Sequence, residues 1–357
     1  MKTSSSSTLL SNKYRDTTLD ILKGTGIIFV VLGHIYQGYG QNLIYLFHMP
    51  LFFFASGAVL SFSDTKNMQF TKRVKHLLVP YLFFSIVSFL YWWQVELRLR
   101  PSDTGYNIFS GALGSVPPIG QQFINIFLVV GGGNSFIYNT VLWFLPCMFC
   151  CIVLYSCLRN LKYYYSFVLI IILSSIYWVF RDQGIEALPF CVGLSFLYLP
   201  FLILGEYSYK LFRQARENKL GMLGGVITVL ILLIVVSLTC GDLRNYHMMG
   251  HSYGSWWNFY LIASSLIVSV LIVCDFISKS KSSFLSWLGK NSLIIMCLHG
   301  PVYRIVLKIS SIISGYEILV IRDSLLLSIV LSLVTIIILL PIIFFINKKI
   351  PFVLGNF

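Results

Sequence analysis

Long apolar segments separated by short polar ones dominate the sequence. Each is about 20 residues long, the length that an α-helix needs to cross the hydrocarbon core of a bilayer. About ten spans are predicted by this pattern, at residues 21–39, 43–62, 78–95, 140–158, 163–180, 189–207, 221–239, 256–274, 286–304 and 324–346. The predicted fold class is therefore all-α, a polytopic membrane helix bundle.

Two segments depart from this repeat. Residues 1–14 are rich in Ser and Thr and are predicted to be a disordered N-terminus. They lack an apolar segment followed by a small-residue cleavage site, so the first apolar run is predicted to be an uncleaved helix. The excursion 96–139 contains an apolar piece, Phe123 to Val130, that is too short to span. This piece is predicted to form a re-entrant or interfacial lid.

Composition agrees with a membrane protein. Of the 357 residues, 57% are hydrophobic and only 11% are charged, whereas globular chains carry roughly 25% charged residues. The net charge of +13 raises the question of a nucleic-acid partner, but no basic patch lies in a soluble context. Most of the 26 Lys and Arg fall in loops on one side of the predicted bundle, which predicts that both termini are cytoplasmic.

Two histidines flank a short polar hairpin, residues 37–42, between the first two spans. His34 closes the first apolar run and His48 begins the second. An ionisable side chain in a membrane helix is costly and usually faces an interior or a wet cavity. Lys23 lies eleven residues before His34, which is about 16 Å along a helix, so His34 is expected in the outer half of the membrane. An imidazole there suits general-base work, and the alternative is a buried, hydrogen-bonded histidine.

A third histidine, His299, lies in the ninth span and is followed by Pro301 and Arg304. A membrane histidine beside a helix break suggests a cavity wall, and a hydrogen bond to another helix is the alternative. Trp143 is either an interfacial anchor or a substrate platform. The outer segment 240–255 adds Asp242 as a further polar candidate.

The loop after the second span reads TKRVKHLLVPY and contains Lys72, Arg73 and Lys75. Clustered basic residues near a helix end bind phosphate well, although an ordinary cytoplasmic loop explains them equally. Arg15, Lys23 and, in a later loop, Arg213 and Arg216 are candidates for the same phosphate binding. Eight cysteines lie mostly in apolar runs, and the closely spaced Cys147, Cys150 and Cys151 have no His or carboxylate on their run, which favours helix packing over a metal site.

Seven stretches occur in order over residues 15–305: LDILKGTGIIFVVLGH, FHMPLFFFASG, KRVKHLLVPY, LWFLP, LILGEY, GDLRNYHMMGHSYG and LGKNSLIIMCLHGP. Together they resemble the acyltransferase 3 family of integral-membrane acyltransferases, which O-acetylate cell-surface glycans. Within that family the chain is most similar to the fucose 4-O-acetylase-like branch. Singly each stretch is weak, but the ordered set is specific.

The resemblance implies ten helices in one membrane-embedded acyltransferase domain, residues 15–350, in a bacterial plasma membrane. It implies acetyl-CoA as co-substrate, with no further cofactor, and a carbohydrate acceptor that is either lipid-linked or polymeric. The essential family histidine corresponds to His34. The basic residue eleven positions earlier is commonly Arg and here is Lys23, and the family's RxxR pattern is reduced to Arg73 followed by His76.

The candidate site therefore has two groups of residues. The catalytic candidates are His34, Asp20 and His48. The substrate-binding candidates are Lys23, Arg73, Lys75, Trp143, Asp242, Asn291 and His299. Two other classes of protein stay open on these residues: a transporter or flippase of a lipid-linked sugar, and a glycan polymerase. A transporter often shows internal symmetry, and no repeat is visible in the sequence.

Overall fold

A computed structural model describes residues 16–62, 70–98, 118–129, 138–216, 219–241, 246–247, 252–280 and 283–355. The predicted disordered segment 1–14 and Asp242 lie outside these residues. The helices in chain order are α1 Thr17–Ile35, α2 Gln41–Leu60, α3 Phe70–Tyr91, α4 Ile119–Leu128, α5 Phe144–Leu158, α6 Tyr163–Phe180, α7 Val192–Arg216, α8 Lys219–Cys240, α9 Trp256–Lys279, α10 Ser283–Lys290, α11 Ser292–Ser314, α12 Ile318–Asp323 and α13 Leu325–Lys349. A hairpin of two-residue strands, β1 Tyr246–His247 and β2 Ser252–Tyr253, precedes α9.

The polytopic helix bundle predicted from the apolar pattern is confirmed. Within the described residues, eight helices are long and apolar enough to cross a membrane. The two other predicted spans are also helical: α5 has 15 residues, and α8 contains the shorter apolar stretch Gly224–Cys240. Each predicted span therefore corresponds to a helix.

Several helix boundaries differ from the sequence prediction, and two of these differences have a clear local cause. Helix α1 begins four residues early because Asp16 caps it, its side chain accepting a hydrogen bond from the Thr18 amide at 2.9 Å. The predicted ninth span, 286–304, is interrupted at Asn291, whose backbone (φ −105°, ψ 9°) is not helical. The spanning helix is instead α11, and α10 is a short helix before it.

Helix α4 contains most of the apolar piece in the long outer excursion. Gln122 and Asn125 are buried, although neighbouring apolar side chains of α4 are exposed. The Tyr81 hydroxyl of α3 donates to the Ile126 carbonyl at 2.7 Å. The Val129 carbonyl, just after α4, accepts from the backbone amide that precedes α7 at 3.1 Å. The C-terminal end of α4 is thus held inside the bundle.

Helices α1 and α10 cross with their backbones in contact. A Cβ on Gly24 of α1 would overlap the carbonyl oxygen of Leu285, and one on Gly289 of α10 would overlap that of Asp20. Small residues allow such an approach between membrane helices. This reciprocal pair fixes α1 against the segment that leads into α11.

Helices α2 and α7 make a second crossing of the same kind. A Cβ on Gly57 of α2 would overlap the Leu202 carbonyl oxygen, and one on Gly205 of α7 would overlap that of Phe54. The two crossings hold the helices that carry His34 and His48 in the interior of the bundle.

Several helix ends meet where α1 begins, and we call this side the N-terminal face. Arg216 at the end of α7 pairs with Asp16 at 3.2 Å. The hydroxyls of Thr18 and of Ser278, near the end of α9, lie 3.2 Å apart. These basic helix ends belong to the loops that the charge distribution predicts to be cytoplasmic.

Candidate active site

Three histidines from three helices converge near the end of α1 farthest from the N-terminal face. The ring centroid of His34 on α1 lies 5.2 Å from that of His299 on α11 and 6.4 Å from that of His48 on α2. His48 and His299 are buried. We call these residues the histidine cluster.

Two members of the cluster are fixed by their own backbones. His48 Nδ1 lies 2.8 Å from the Ile44 carbonyl, and His299 Nδ1 lies 2.9 Å from the Ile295 carbonyl. A carbonyl only accepts, so in each ring Nδ1 carries the proton and the neutral ring presents Nε2 as an acceptor. The Nε2 atom of His299 is buried without a hydrogen-bond partner among the described residues. Two rings thus have assigned tautomers.

His34 has a different environment. Its Nδ1 lies 3.4 Å from the Tyr45 hydroxyl rather than beside a carbonyl. Its ring stacks on Tyr303, with centroids 6.1 Å apart and an interplanar angle of 19°. Either tautomer of His34 is compatible with a hydroxyl partner, because a hydroxyl both donates and accepts. His34 is therefore the member whose protonation is least constrained by the fold.

The sequence analysis missed both tyrosines of this cluster. Tyr45 precedes His48 by three residues, and Tyr303 follows His299 by four. Residues three or four apart lie on the same face of a helix. That spacing was the sequence signal that could have placed the two tyrosines beside the histidines.

Arg322 holds the end of α1 that carries His34. Its Nε donates to the Ile35 carbonyl at 2.9 Å, and its Nη2 donates to the His34 carbonyl at 2.8 Å. The last carbonyls of a helix lack intrahelical partners. Arg322 supplies those partners and so fixes the position of the His34 backbone.

A buried ion pair lies one turn beyond His299 on α11. Arg304 Nη1 is 3.0 Å from Glu96 Oε2, with 5% and 3% of the two side chains exposed. The guanidinium also donates to the carbonyls of Gly300 and Tyr138. Burial raises the pKa of the Tyr138 hydroxyl, which stays neutral at physiological pH. The pair joins the helical turn that follows α3, Trp92–Glu96, to the segment before α5 and to α11.

A cavity of about 190 Å³ lies between the N-terminal face and the histidine cluster. Its polar lining consists of Lys23, Ser56, Arg73 and Ser292, and its apolar lining includes Phe52 and Met296. We call it the inner cavity. Lys23 and Arg73, which the sequence suggested could share phosphate binding, line the same space.

On each of three helices, a residue that lines the inner cavity lies on the same face as a histidine of the cluster. On α1, Lys23 lies eleven residues, or about 16 Å, before His34. On α2, Phe52 lies four residues, or about 6 Å, from His48. Ser292 of α11 lies seven residues, or about 10 Å, from His299. The inner cavity and the histidine cluster are thus two ends of one interior region.

Other predicted site residues lie elsewhere. Lys75 is exposed on α3. Trp143 stacks on Tyr198, with ring centroids 5.6 Å apart. Asp20 is buried on α1 at the crossing with α10.

Asn291 and His76 take part in helix junctions. The Asn291 amide donates to the Trp287 carbonyl at 2.8 Å and accepts from Asn347 of α13 at 2.7 Å. His76, at the second position of the altered RxxR pattern, has Nδ1 3.1 Å from the Leu354 carbonyl. It therefore holds the C-terminal turn, and only Arg73 of that pattern lines the inner cavity.

Comparison with known proteins supplies the family. The acyltransferase 3 family model, described as an acyltransferase domain, matches residues 16–347. The chain therefore belongs to this family, and its apolar helices make it an integral membrane protein.

Two relatives with the same name are similar over shorter stretches. Nodulation protein NolL of Mesorhizobium japonicum is 31% identical over 133 residues, covering 32% of this chain and 35% of the relative. Nodulation protein NolL of Sinorhizobium fredii is 40% identical over 86 residues, covering 19% of this chain and 23% of the relative. The chain thus matches about a third or less of these relatives' length. No solved structure gives a significant match.

Proposed function

We propose that the protein is a membrane O-acetyltransferase. It moves an acetyl group from cytoplasmic acetyl-CoA to a sugar hydroxyl of a cell-surface or exopolysaccharide glycan, in a bacterial plasma membrane. The observation that carries the proposal is that three helices lining the inner cavity, which contains Lys23 and Arg73, also carry the three histidines of the cluster. Family membership supports the acyl-transfer chemistry.

The donor enters from the N-terminal face in this proposal. Lys23 and Arg73 line the inner cavity and provide positive charge for phosphate oxygens. The apolar lining formed by Phe52 and Met296 suits a flexible, largely uncharged arm. The three helix faces then lead the thioester toward His34, and the sugar reaches His34 from the opposite side of the membrane.

His34 acts as general base or as acyl carrier. As a base, it takes the hydroxyl proton while the sugar oxygen bonds to the acetyl carbon, the C–S bond breaks, and the proton passes to the departing thiolate. As a carrier, an imidazole nitrogen first bonds to the acetyl carbon as the C–S bond breaks. The sugar oxygen then displaces that nitrogen, and the hydroxyl proton passes to the thiolate released in the first step, so that His34 returns to its neutral form. In both routes, the Nε2 acceptors of His48 and His299 are available to orient the hydroxyl.

The decisive experiment compares surface glycans by mass spectrometry. The strains carry wild-type protein, a gene deletion, His34→Ala or His76→Gln, the last being a histidine control outside the cluster. Loss of a general base costs about 10²- to 10⁴-fold, so we expect the deletion and His34→Ala to lose their acetyl increments. His76→Gln should retain them.

The outcomes separate the proposal from its alternatives. Undiminished acetylation by folded His34→Ala protein, present at wild-type levels in the membrane, would refute the role of His34. Loss of the whole glycan in the deletion strain would instead indicate a transporter or a polymerase.

A further inference from the structure

A second cavity opens on the N-terminal face, outside the inner cavity. It measures about 310 Å³ and lies between the C-terminal turns of α7 and the residues around α1 and α2. We call it the rim cavity. Its lining residues are Asp16, Phe62, Lys210, Arg213, Gln214 and Arg216.

The acidic residue of the rim cavity is already neutralised. Asp16 Oδ2 lies 3.2 Å from Arg216 Nη2 and accepts a hydrogen bond from the Tyr209 hydroxyl at 2.7 Å. Arg216 also contacts Asp275, with Nη1 3.4 Å from Oδ1. These contacts form a closed network at the foot of α1, so the positive charge of Lys210 and Arg213 is not offset within the cavity.

The guanidinium of Arg213 is held in a position to bind an oxyanion. Its guanidinium carbon lies 4.2 Å from the ring centroid of Phe62, and this contact braces the planar group. Its Nε is buried and has no hydrogen-bond partner among the described residues. Lys210 lies three residues earlier on α7, is exposed, and makes no ion pair within the described ranges. A buried donor without a partner is costly, and phosphate oxygens match the guanidinium fork.

The rim cavity neighbours the inner cavity along one face of α2 and the turn that follows it. Ser56 and Val59 line the inner cavity, and Phe62 lines the rim cavity. The three residues are spaced at intervals of three, and the Phe62 amide donates to the Val59 carbonyl at 3.3 Å, so the turn continues past α2. Val59 and Phe62 are therefore about 5 Å apart along the helix axis. One ligand of moderate length can occupy both cavities.

We propose that the rim cavity binds a phosphate group through Arg213 and Lys210. Resting on the proposed function, this phosphate belongs to the nucleotide of acetyl-CoA, whose pantetheine arm then enters the inner cavity past Val59. The same chemistry also suits the phosphate of an anionic lipid headgroup, since the cavity lies at the end of a membrane helix. The test separates these two sources.

The experiment measures binding to the full-length protein in nanodiscs of phosphatidylcholine, which has no net charge. The probes are coenzyme A, adenosine 3′,5′-bisphosphate and pantetheine, and the proteins are wild type, Arg213→Gln, Lys210→Gln and Lys349→Gln. Lys349 is an exposed cation near the end of α13 that does not line either cavity. Matched thermal unfolding shows that each variant is folded.

We expect Arg213→Gln to weaken binding of coenzyme A and of the bisphosphate about tenfold, as for the loss of one charge-assisted hydrogen bond. Lys210→Gln should weaken both less, and pantetheine binding should not change. Lys349→Gln should behave as wild type. This pattern would support the proposal.

Three other results have defined meanings. Unchanged binding of every phosphate probe in Arg213→Gln overturns the phosphate site. If that variant instead loses only its preference for phosphatidylglycerol in mixed nanodiscs, the phosphate is that of a lipid and the donor assignment is overturned. If wild type binds the bisphosphate through Arg213 but does not bind coenzyme A, the rim site stands and the proposed acyl donor fails.

Discussion

Arginines at the two ends of the interior region differ in how their donors are used. Near the histidine cluster, Arg304 bonds to Glu96 and to two backbone carbonyls, and Arg322 bonds to the last carbonyls of α1. Toward the N-terminal face, Arg73 and Arg213 line cavities and form no ion pair in the described part of the chain. Some arginines of the bundle are thus paired with protein groups, whereas others line cavities without an ion pair among the described residues.

The presence or absence of protein partners distinguishes cations that stabilise this bundle from cations that bind a ligand. A buried charge must be paired or hydrogen-bonded, and removing one partner leaves an uncompensated charge. A cation that lines a cavity without a protein partner retains its donors for a ligand. We therefore expect Arg304 and Arg322 to control stability, and Arg73 and Arg213 to control donor binding.

The largest effect is expected at the buried pair. Breaking such a pair from one side typically costs about 3–5 kcal/mol, so Arg304→Met should lower the free energy of unfolding by this amount, as followed by thermal unfolding of purified protein. The double variant Glu96→Leu/Arg304→Met should recover much of the loss, because no charge stays unpaired. Equal loss in the single and double variants would contradict a pairing role.

A smaller effect is expected at the end of α1. Arg322→Gln removes charge-assisted hydrogen bonds to the His34 and Ile35 carbonyls, which should cost about 2 kcal/mol of unfolding free energy. Acetyl transfer should also fall, since the His34 backbone is no longer held. Lys308→Gln, a control near the outer end of α11, should change stability by less than about 0.5 kcal/mol. Equal changes in unfolding free energy and acetyl transfer for both variants would show that Arg322 does not hold the end of α1.

The smallest effect on the fold is expected in the inner cavity. Arg73→Gln should leave the unfolding free energy within about 0.5 kcal/mol of wild type, yet raise KM for acetyl-CoA about tenfold with little change in kcat. The neighbouring Lys72→Gln removes the same charge from an exposed position and should leave KM unchanged. Steady-state kinetics with purified protein decide between them, and equal KM values for both variants would show that Arg73 has no special role.

The helices were predictable because apolar length decides whether a segment can span a membrane. The break at Asn291 was not, because it depends on contacts with Trp287 and with Asn347 on another helix. The pattern along one helix does not contain the positions of its neighbours. Capping by Asp16 depends only on residues next to it in the chain, but the predicted start at residue 21 did not include it.

The histidines could be singled out, since each is an ionisable residue in an apolar run, but their convergence could not. Spacing gives the depth of His34 on α1 but not which helix faces it. Glu96 and Arg304 are 208 residues apart in the chain and were not paired by any sequence argument. His76 was considered as a changed phosphate ligand, whereas its contact with the Leu354 carbonyl depends on where the C-terminal turn packs.

The glycine crossings bear on how a chemical group passes through this bundle. Alternating access requires one set of helices to rock against another around the bound molecule. Here α1 touches α10, and α2 touches α7, with no side chain between the backbones at Gly24, Gly57, Gly205 and Gly289. Helices in such close contact resist sliding. We therefore expect these helices to stay fixed while the acyl group, attached to its donor, moves along them, so that only the acyl group crosses the membrane.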